Sequence, residues 1–440
     1  MADKIHAERL IQDLSSASVY DPVSNNKLAL LVKTGTESNG INRRERLLTE
    51  NVFRERMQQI EMEGKIGFRA LTRTKSTGDF VDCRVNRFLG YGNTGPVFAV
   101  SVDQQPFALK IYSSSELQDM MRIHGNFGLA GMLQDLANED SPTFLSKFGQ
   151  KILARKPSGV YARCRKIVKI HNVGEDGNFI YLLMDLLEVD TLNRVDFGIL
   201  GRNPLDLCLW ATDCAVGLCQ LHVEERRLHL NIRPEAFVRR DLREADRVPK
   251  FTFFHFPQRY PRSKGMPSLT TEFVFVDHFD TSVKASDRDP KGLGTVGSWL
   301  YVPPETIIQL LRSLREDYNR FIIQGEPLEG ERTIKLRRSQ LDDIWALGLT
   351  LYQFLSGGRL PFKTPATVTE MINSLLLSRL DFTPIPSQFR PLLEAMLDKE
   401  PSHRFQRVLA GCPDNISSKK VMAEAVLYKL EMACLQSLGT

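Results

Sequence analysis

The spacing of apolar residues divides the chain into a part rich in strands and a longer part rich in helices. Apolar positions at helical spacing over 41–62 predict an amphipathic helix, and a strand-like period follows at 81–89, 97–102 and 106–112. A helical region at 115–138 and two more strands at 166–171 and 179–184 complete a small sheet with one main helix. Helical patterns then dominate, at 204–223, 306–321, 342–355, 367–377, 389–397 and 418–438.

Composition and charge place the chain among globular proteins. With 440 residues, 42% hydrophobic and 25% charged, it is long enough for two or three packing units around a sizeable core. The net charge of +5 is a small excess of 58 basic over 53 acidic residues, which by itself does not indicate nucleic acid binding. The seven cysteines contain no C-x-x-C pair, so buried reduced thiols are expected rather than zinc binding or redox chemistry.

Hydropathy indicates neither a membrane span nor a targeting segment. No apolar run approaches the ~18 residues of a membrane span, and the first ten residues lack the apolar core of a signal peptide. We therefore expect a soluble, cytoplasmic protein.

A glycine-rich turn between the first two strands carries the first functional motif. Residues 90–97 read Gly-Tyr-Gly-Asn-Thr-Gly-Pro-Val and fit Gly-x-Gly-x-x-Gly-x-Val, in which missing side chains let backbone amides approach phosphates. Alone, this turn fits a plain hairpin equally well. The next strand brings Lys110 in Phe-Ala-Leu-Lys, and this spacing favours a lysine that contacts nucleotide phosphates over a solvated edge residue.

A second motif aligns with a catalytic-loop pattern but lacks its reactive residues. Residues 228–237 read Leu-His-Leu-Asn-Ile-Arg-Pro-Glu-Ala-Phe, against the pattern His-Arg-Asp-x-x-x-x-Asn. In that pattern the aspartate accepts the substrate hydroxyl proton and the asparagine holds magnesium. Those positions are Asn231 and Ala236 here, and neither an amide nor a methyl group supplies a base or a magnesium ligand.

Three further segments follow in the order and approximate spacing of one family. Residues 297–305 end in Pro-Pro-Glu, residues 343–352 begin Asp-Ile-Trp-Ala-Leu-Gly, and residues 392–404 end in Pro-Ser-His-Arg. With the two motifs above, the chain from about 86 to about 405 resembles the protein kinase family. Within it, the chain is most similar to the rhoptry kinases and pseudokinases of apicomplexan parasites. That likeness rests on the N-terminal helical extension, Arg233-Pro234-Glu235 and Pro303-Pro304-Glu305-Thr306.

The resemblance implies an α+β, bilobal, protein-kinase-like fold. Its parts would be an N-terminal extension at 1–80, partly disordered and then helical, a small β-rich N-lobe at 81–185 with one main helix, and a larger helical C-lobe at 186–440. Insertions would lie at about 239–272 and 306–340. Basic and aromatic residues in the first insertion fit RNA binding, but strand packing with a solvated loop is favoured. For the second insertion, a solvated linker and a partner surface stay open.

The resemblance also implies a nucleotide site. Met184 would form the cleft wall, and the backbone of 185–187 would face adenine. The implied nucleotide-binding residues are Gly90, Tyr91, Gly92, Asn93, Thr94, Gly95, Val97, Ala108, Lys110, Met184, Asp185, Leu186 and Leu187. Asp277, with Asp280 as the alternative, would hold one magnesium ion. An ion pair between Glu305 and Arg404 is implied as a structural link.

Departures from the family pattern fall on catalysis. Residues 277–279 read Asp-His-Phe where the family has Asp-Phe-Gly, and Leu230 replaces an arginine that reads phosphorylated loops. The residue that pairs with Lys110 stays open among Glu116, Asp119, Gln134, Asp135 and Glu139.

These features together favour a pseudokinase over an enzyme. It would bind ATP with a single Mg²⁺ and act on a protein partner, an active kinase or its substrate, as an allosteric regulator or scaffold. The alternatives are an ATP-dependent transferase that uses rearranged acids, Glu235, Asp277 or Asp280, and a scaffold that binds no nucleotide. If the rhoptry resemblance holds and a leader is missing, the protein would be secreted into a host cell.

Overall fold

The chain folds as an α+β protein, with a curled antiparallel sheet in its N-terminal part and helices in its C-terminal part. The computed structural model describes residues 51–70, 80–92, 95–113, 166–168, 170–176, 179–187, 204–224, 226–241, 271–275, 283–284, 299–309, 312, 337–364, 368–418 and 420–439. None of the helices in these ranges has the length and apolar character that a membrane crossing requires.

Six antiparallel strands form the sheet in the order β1-β2-β3-β4-β6-β5, and β1 also pairs with β5, so the sheet closes on itself. The strands are β1 (Lys65–Ala70), β2 (Phe80–Gly92), β3 (Gly95–Val102), β4 (Gln105–Ser113), β5 (Ile170–Glu175) and β6 (Phe179–Asp185). Alternate residues point inward because successive side chains of a strand lie on opposite faces. The enclosed core contains Ile66, Phe68, Cys83, Phe98, Val100, Leu109, Ile111, Tyr181 and Leu183.

Helix α1 (Asn51–Glu63) covers this core and is fixed to the sheet by Arg56. The guanidinium donates to the Tyr181 hydroxyl and to the Asp176 carboxylate at 2.7 Å each, and the Tyr181 hydroxyl in turn donates to Asp176. Burial and the adjacent Asp176 carboxylate raise the pKa of Tyr181. Ile60 packs into the core of the sheet, so both charged and apolar contacts hold α1 against it.

The helical part is built around α3, which is buried along almost its whole length. Its helices are α2 (Pro204–Cys219), which continues as a π-helical turn (Gln220–Glu224), a short helix at 304–309, α3 (Gln340–Leu355), α4 (Val368–Leu376), α5 (Arg390–Met396), α6 (Pro401–Leu409), α7 (Asp414–Ser417) and α8 (Met422–Ser437). Two small strand pairs join them, β7 (Arg227–Leu228) with β10 (Val283–Lys284) and β8 (Phe237–Asp241) with β9 (Thr271–Phe275). A Cβ on Gly348 would lie 2.9 Å from Leu397 Cδ2, so this glycine lets α3 approach α5 closely.

Most predicted elements are confirmed where the structure describes them. The strands at 97–102, 106–112 and 179–184 and the helices at 204–223, 342–355, 367–377, 389–397 and 418–438 are present with small shifts of their ends. The strand predicted at 166–171 is misplaced, because β5 runs from Ile170 to Glu175. Lys166 is instead held against α2, with its ammonium 2.6 Å from Asp213 Oδ1.

Strand β1 and helix α6 were not predicted. The helical region predicted at 115–138 lies outside the described residues, as do the interiors of both insertions. The described ends of the first insertion are β8 and β9, which pair with each other.

Candidate functional site

Two glycines of the hairpin formed by β2 and β3 have backbone angles that favour glycine: Gly95 begins β3, and Gly90 lies in β2 beside a register shift. Gly90 and Gly95 have φ angles of 149° and 151°, in a region that residues with a side chain rarely adopt. A Cβ on Gly95 would lie 1.9 Å from the carbonyl oxygen of Ile111, so no side chain fits there. Around Gly90 the structure leaves open space within 4 Å. The predicted residues Asn93 and Thr94 lie outside the described residues.

Four predicted site residues from three strands lie on one face of the sheet. Val97 is paired with Lys110 across β3 and β4, and Ala108 is paired with Met184 across β4 and β6. Directly paired residues share a face, as do residues two apart on one strand, so all four lie on the face opposite the enclosed core. Leu109, between Ala108 and Lys110, points into that core. The register therefore places these four residues on one face of the sheet.

Lys110 is buried on this face rather than solvated at an edge. Its Nζ lies 4.8 Å from the centroid of the Tyr112 ring, which is a favourable cation–π distance. The five residues that could pair with Lys110 in the sequence analysis lie outside the described residues. Lys110 therefore supplies a buried ammonium on the face that also carries Val97, Ala108 and Met184.

Asp185 ends β6 directly after Met184, and residues 186 and 187 continue without regular structure. Asp185 Oδ1 lies 2.5 Å from Nε2 of His171, on the neighbouring β5. Of the three residues predicted to face adenine, Asp185 is thus the last residue of the sheet, and Leu186 and Leu187 lie beyond it.

The loop at 229–236 is anchored by Asp343 at the start of α3. The fully buried carboxylate accepts hydrogen bonds from the backbone amides of His229 and Leu230, at 2.7 Å each, and from Nε2 of His222 at 2.8 Å. Burial alone would raise the pKa of Asp343, but the hydrogen bonds and charge from the histidines outweigh it and lower the pKa below its ordinary value.

These bonds hold Leu230 in a strained conformation. Its φ angle is 62°, and a left-handed residue other than glycine costs on the order of 1–3 kcal/mol. The strain persists because the backbone is fixed on both sides of the Leu230 Cα: Asp343 binds the amides of His229 and Leu230 before it, and the His229 ring binds the Asn231 amide after it. In addition, the Asn231 amide donates to His229 Nδ1 at 3.2 Å, which places the ring proton of a neutral His229 on Nε2.

Asn231 and Ala236, the two degenerate positions, are both buried. Ala236 belongs to the apolar core of the helical part, where its methyl group leaves little room for a polar side chain. Glu235 is different, since its side chain is 41% exposed and its Oε2 lies 3.7 Å from Arg233 Nε. The Glu235 side chain is therefore partly exposed, although its Oε2 is itself buried.

The ion pair expected between Glu305 and Arg404 is confirmed. Arg404 Nη1 and Nη2 donate to Glu305 Oε1 and Oε2 at 2.8 and 3.0 Å, a two-pronged contact that suits the planar guanidinium. Arg404 also donates to the carbonyls of Asp398 and Leu341, and it lies over the Trp345 ring at 5.1 Å. This contact links helix 304–309 to α3 and α6.

A second buried polar network, which was not predicted from the sequence, lies at the start of α3. Asp342 Oδ1 accepts from Arg338 Nε at 2.6 Å and from Thr306 Oγ1 at 3.0 Å, and its other oxygen accepts from the Ser339 amide. The signal available was a serine three residues before an acidic residue, which marks a helix start. The bond between His222 and Asp343 was not predicted either, because no local pattern links two residues that are 121 positions apart.

The predicted metal ligand Asp277 and its alternative Asp280 lie outside the described residues. Over the described ranges, no group of three or more His, Cys, Asp or Glu side chains is placed to hold a metal ion. In comparisons with known proteins, no family model matches this chain, and no curated protein matches it significantly. The resemblance to the kinase family therefore stays a prediction from the sequence motifs.

Proposed function

We propose that this protein is a pseudokinase, with a protein-kinase-like bilobal fold that binds ATP between its sheet and its helical part. One observation carries the proposal: the register of β3, β4 and β6 puts Val97, Ala108, Lys110 and Met184 on one face. Apolar walls with a single buried ammonium suit a nucleotide, because the base needs apolar contact and the phosphates need positive charge.

The glycine turn supports phosphate binding above this face. A backbone without side chains at Gly90 and Gly95 lets amide groups approach an anion. Lys110 would contact the phosphates from below, and the backbone of 185–187 would contact the base. Magnesium would come with the nucleotide, and Asp277 would hold a single ion.

The loop held by Asp343 supports binding without catalysis. The bonds to His229 and Leu230 keep this loop ordered, yet position 231 offers an amide and position 236 a buried methyl group. An ordered loop without a catalytic base fits a protein that acts by binding a partner and not by catalysis. Nucleotide binding would stabilise one arrangement of the two parts and so present a surface to a partner, an active kinase or its substrate.

Thermal unfolding with and without ATP and Mg²⁺ tests nucleotide binding. A ligand at 100 times its Kd stabilises the folded state by about 2.7 kcal/mol, which raises the melting temperature measurably. We expect the shift in wild type to be lost in Lys110→Ala and to persist in Lys363→Ala, a matched change of an exposed lysine. Equal shifts in both variants would remove Lys110 from the site. No shift in wild type would instead support a scaffold that binds no nucleotide.

The partly exposed acidic side chain of Glu235 favours one second candidate, an ATP-dependent transferase with rearranged acids. Losing a positioned base costs roughly 10²- to 10⁴-fold in rate, which leaves measurable chemistry where positioning dominates. Transfer from α-labelled and γ-labelled ATP would separate the two functions. Turnover that disappears in Glu235→Gln or Asp277→Asn would replace the pseudokinase proposal with this one.

A further inference from the structure

His171 occupies an irregularity in the sheet, next to the segment proposed to contact the base. The pairing of β5 with β6 runs from Ile170 opposite Met184 to Asn172 opposite Leu183, so His171 is an extra residue, a β-bulge. Bulges turn a side chain out of the regular alternation and occur next to binding sites. Here the bulge brings the His171 imidazole to the last residue of β6.

Two contacts fix the orientation of the His171 ring. Its Nε2 lies 2.5 Å from Asp185 Oδ1, and the ring packs edge-to-face against Phe107 with centroids 5.0 Å apart. Phe107 is itself paired with Asp185 across β4 and β6. The ends of three strands therefore meet at one histidine–carboxylate pair.

The pair is positioned to hold the backbone where β6 ends. Beyond Asp185 the sheet no longer fixes the chain, and residues at such ends open easily. A side-chain bond from Asp185 to β5 adds a constraint that backbone pairing alone does not give. Both side chains are partly open to solvent, 27% for His171 and 29% for Asp185, so the constraint is modest.

We propose that His171 is a positioning residue, which holds residues 185–187 so that their backbone meets the base of a bound nucleotide. This inference rests on the proposed nucleotide binding. It assigns His171 to the base and not to the phosphates, since the bond is made at the end of β6 while Lys110 and the glycine turn lie along β2 to β4.

Two variants separate the bond from the packing. His171→Phe keeps an aromatic ring against Phe107 but removes the bond to Asp185, and His171→Gln keeps an amide that can donate to it. We expect His171→Phe to weaken ATP binding about two- to fivefold, within the range of a partly exposed side-chain pair, and His171→Gln to recover most of the loss. Inorganic triphosphate, which lacks the base, should bind all three proteins equally, as measured by titration calorimetry. Equal weakening of ATP and triphosphate, or no weakening of either, would overturn the assignment.

Amide hydrogen exchange of residues 184–187 gives a measurement that needs no ligand. We expect faster exchange in His171→Phe than in wild type, and near wild-type exchange in His171→Gln, with β3 unchanged in both. Unchanged exchange in His171→Phe would refute the positioning role, whatever the protein binds. Wild type that binds neither ATP nor triphosphate would overturn the proposed function and the base contact with it, while the exchange result still decides whether His171 holds the segment.

Discussion

Arg404 offers the sharpest test of how the helical part is held together. Its side chain is fully buried, while that of Glu305 is 20% exposed. The guanidinium makes two bonds to the carboxylate, one each to the carbonyls of Asp398 and Leu341, and a cation–π contact with Trp345. Replacing Arg404 by alanine removes all of these contacts and leaves a carboxylate partly buried without its cation.

The expected cost follows from the burial of the two partners. Removing one partner of a buried ion pair costs about 3–5 kcal/mol, and the partial exposure of Glu305 favours the lower end because water can solvate the remaining carboxylate. Each lost bond to a carbonyl adds about 1 kcal/mol. We therefore expect Arg404→Ala to lower the free energy of unfolding by about 4–5 kcal/mol. Arg404→Lys, which keeps the charge but not the fork, should cost about half as much.

Urea unfolding followed by circular dichroism measures these differences, and a double-mutant cycle with Glu305→Gln isolates the pair. The cycle should give a coupling energy of about 1–3 kcal/mol, because the two side chains are in direct contact. Arg407→Ala is a matched control, since this neighbouring arginine on α6 is 46% exposed and its ion pairs with Glu394 and Asp398 should contribute little. Additive effects of the two changes, or a cost below about 1 kcal/mol for Arg404→Ala, would refute the reasoning.

Three further predictions concern the loop and the glycine turn. Asp343→Asn should lower the free energy of unfolding at pH 7, as measured by urea unfolding. Because the pKa of Asp343 is lowered in the folded state, the difference in unfolding free energy between wild type and variant should shrink as the pH falls below about 4. Gly95→Ala should unfold at a lower temperature than Gly90→Ala, because only at Gly95 would the new methyl group collide with the Ile111 carbonyl; equal melting temperatures would contradict this. Ala236→Asn should lower the melting temperature without creating phosphoryl transfer, since it buries an amide in an apolar core; a stable variant with kinase activity would contradict the account of this loop.

The sequence predicted those features whose cause is local. Strands β3, β4 and β6 were predictable because each is a short run rich in β-branched and aromatic residues, a property of the local sequence. Gly90 and Gly95 marked the hairpin of β2 and β3 because glycine readily adopts the positive φ angles found there. The contact between Glu305 and Arg404 has no local cause, since the two residues are 99 positions apart, and it was expected only from the resemblance to the kinase family.

The tertiary structure decided which distant segments meet. Strand β1 is short, and it matters because it pairs with β5 and closes the sheet, which no local pattern reveals. The sequence around Lys166 has a strand-like pattern, but its ammonium is paired with Asp213 of α2. Burying an unpaired ammonium would cost more free energy than losing one paired residue at the end of a strand. Folding also pairs two histidines with distant carboxylates: a bulge brings His171 to Asp185, and His222 lies beside Asp343. Residue type and spacing determined which groups were available, and burial then required each polar group to find a partner that only the folded chain supplies.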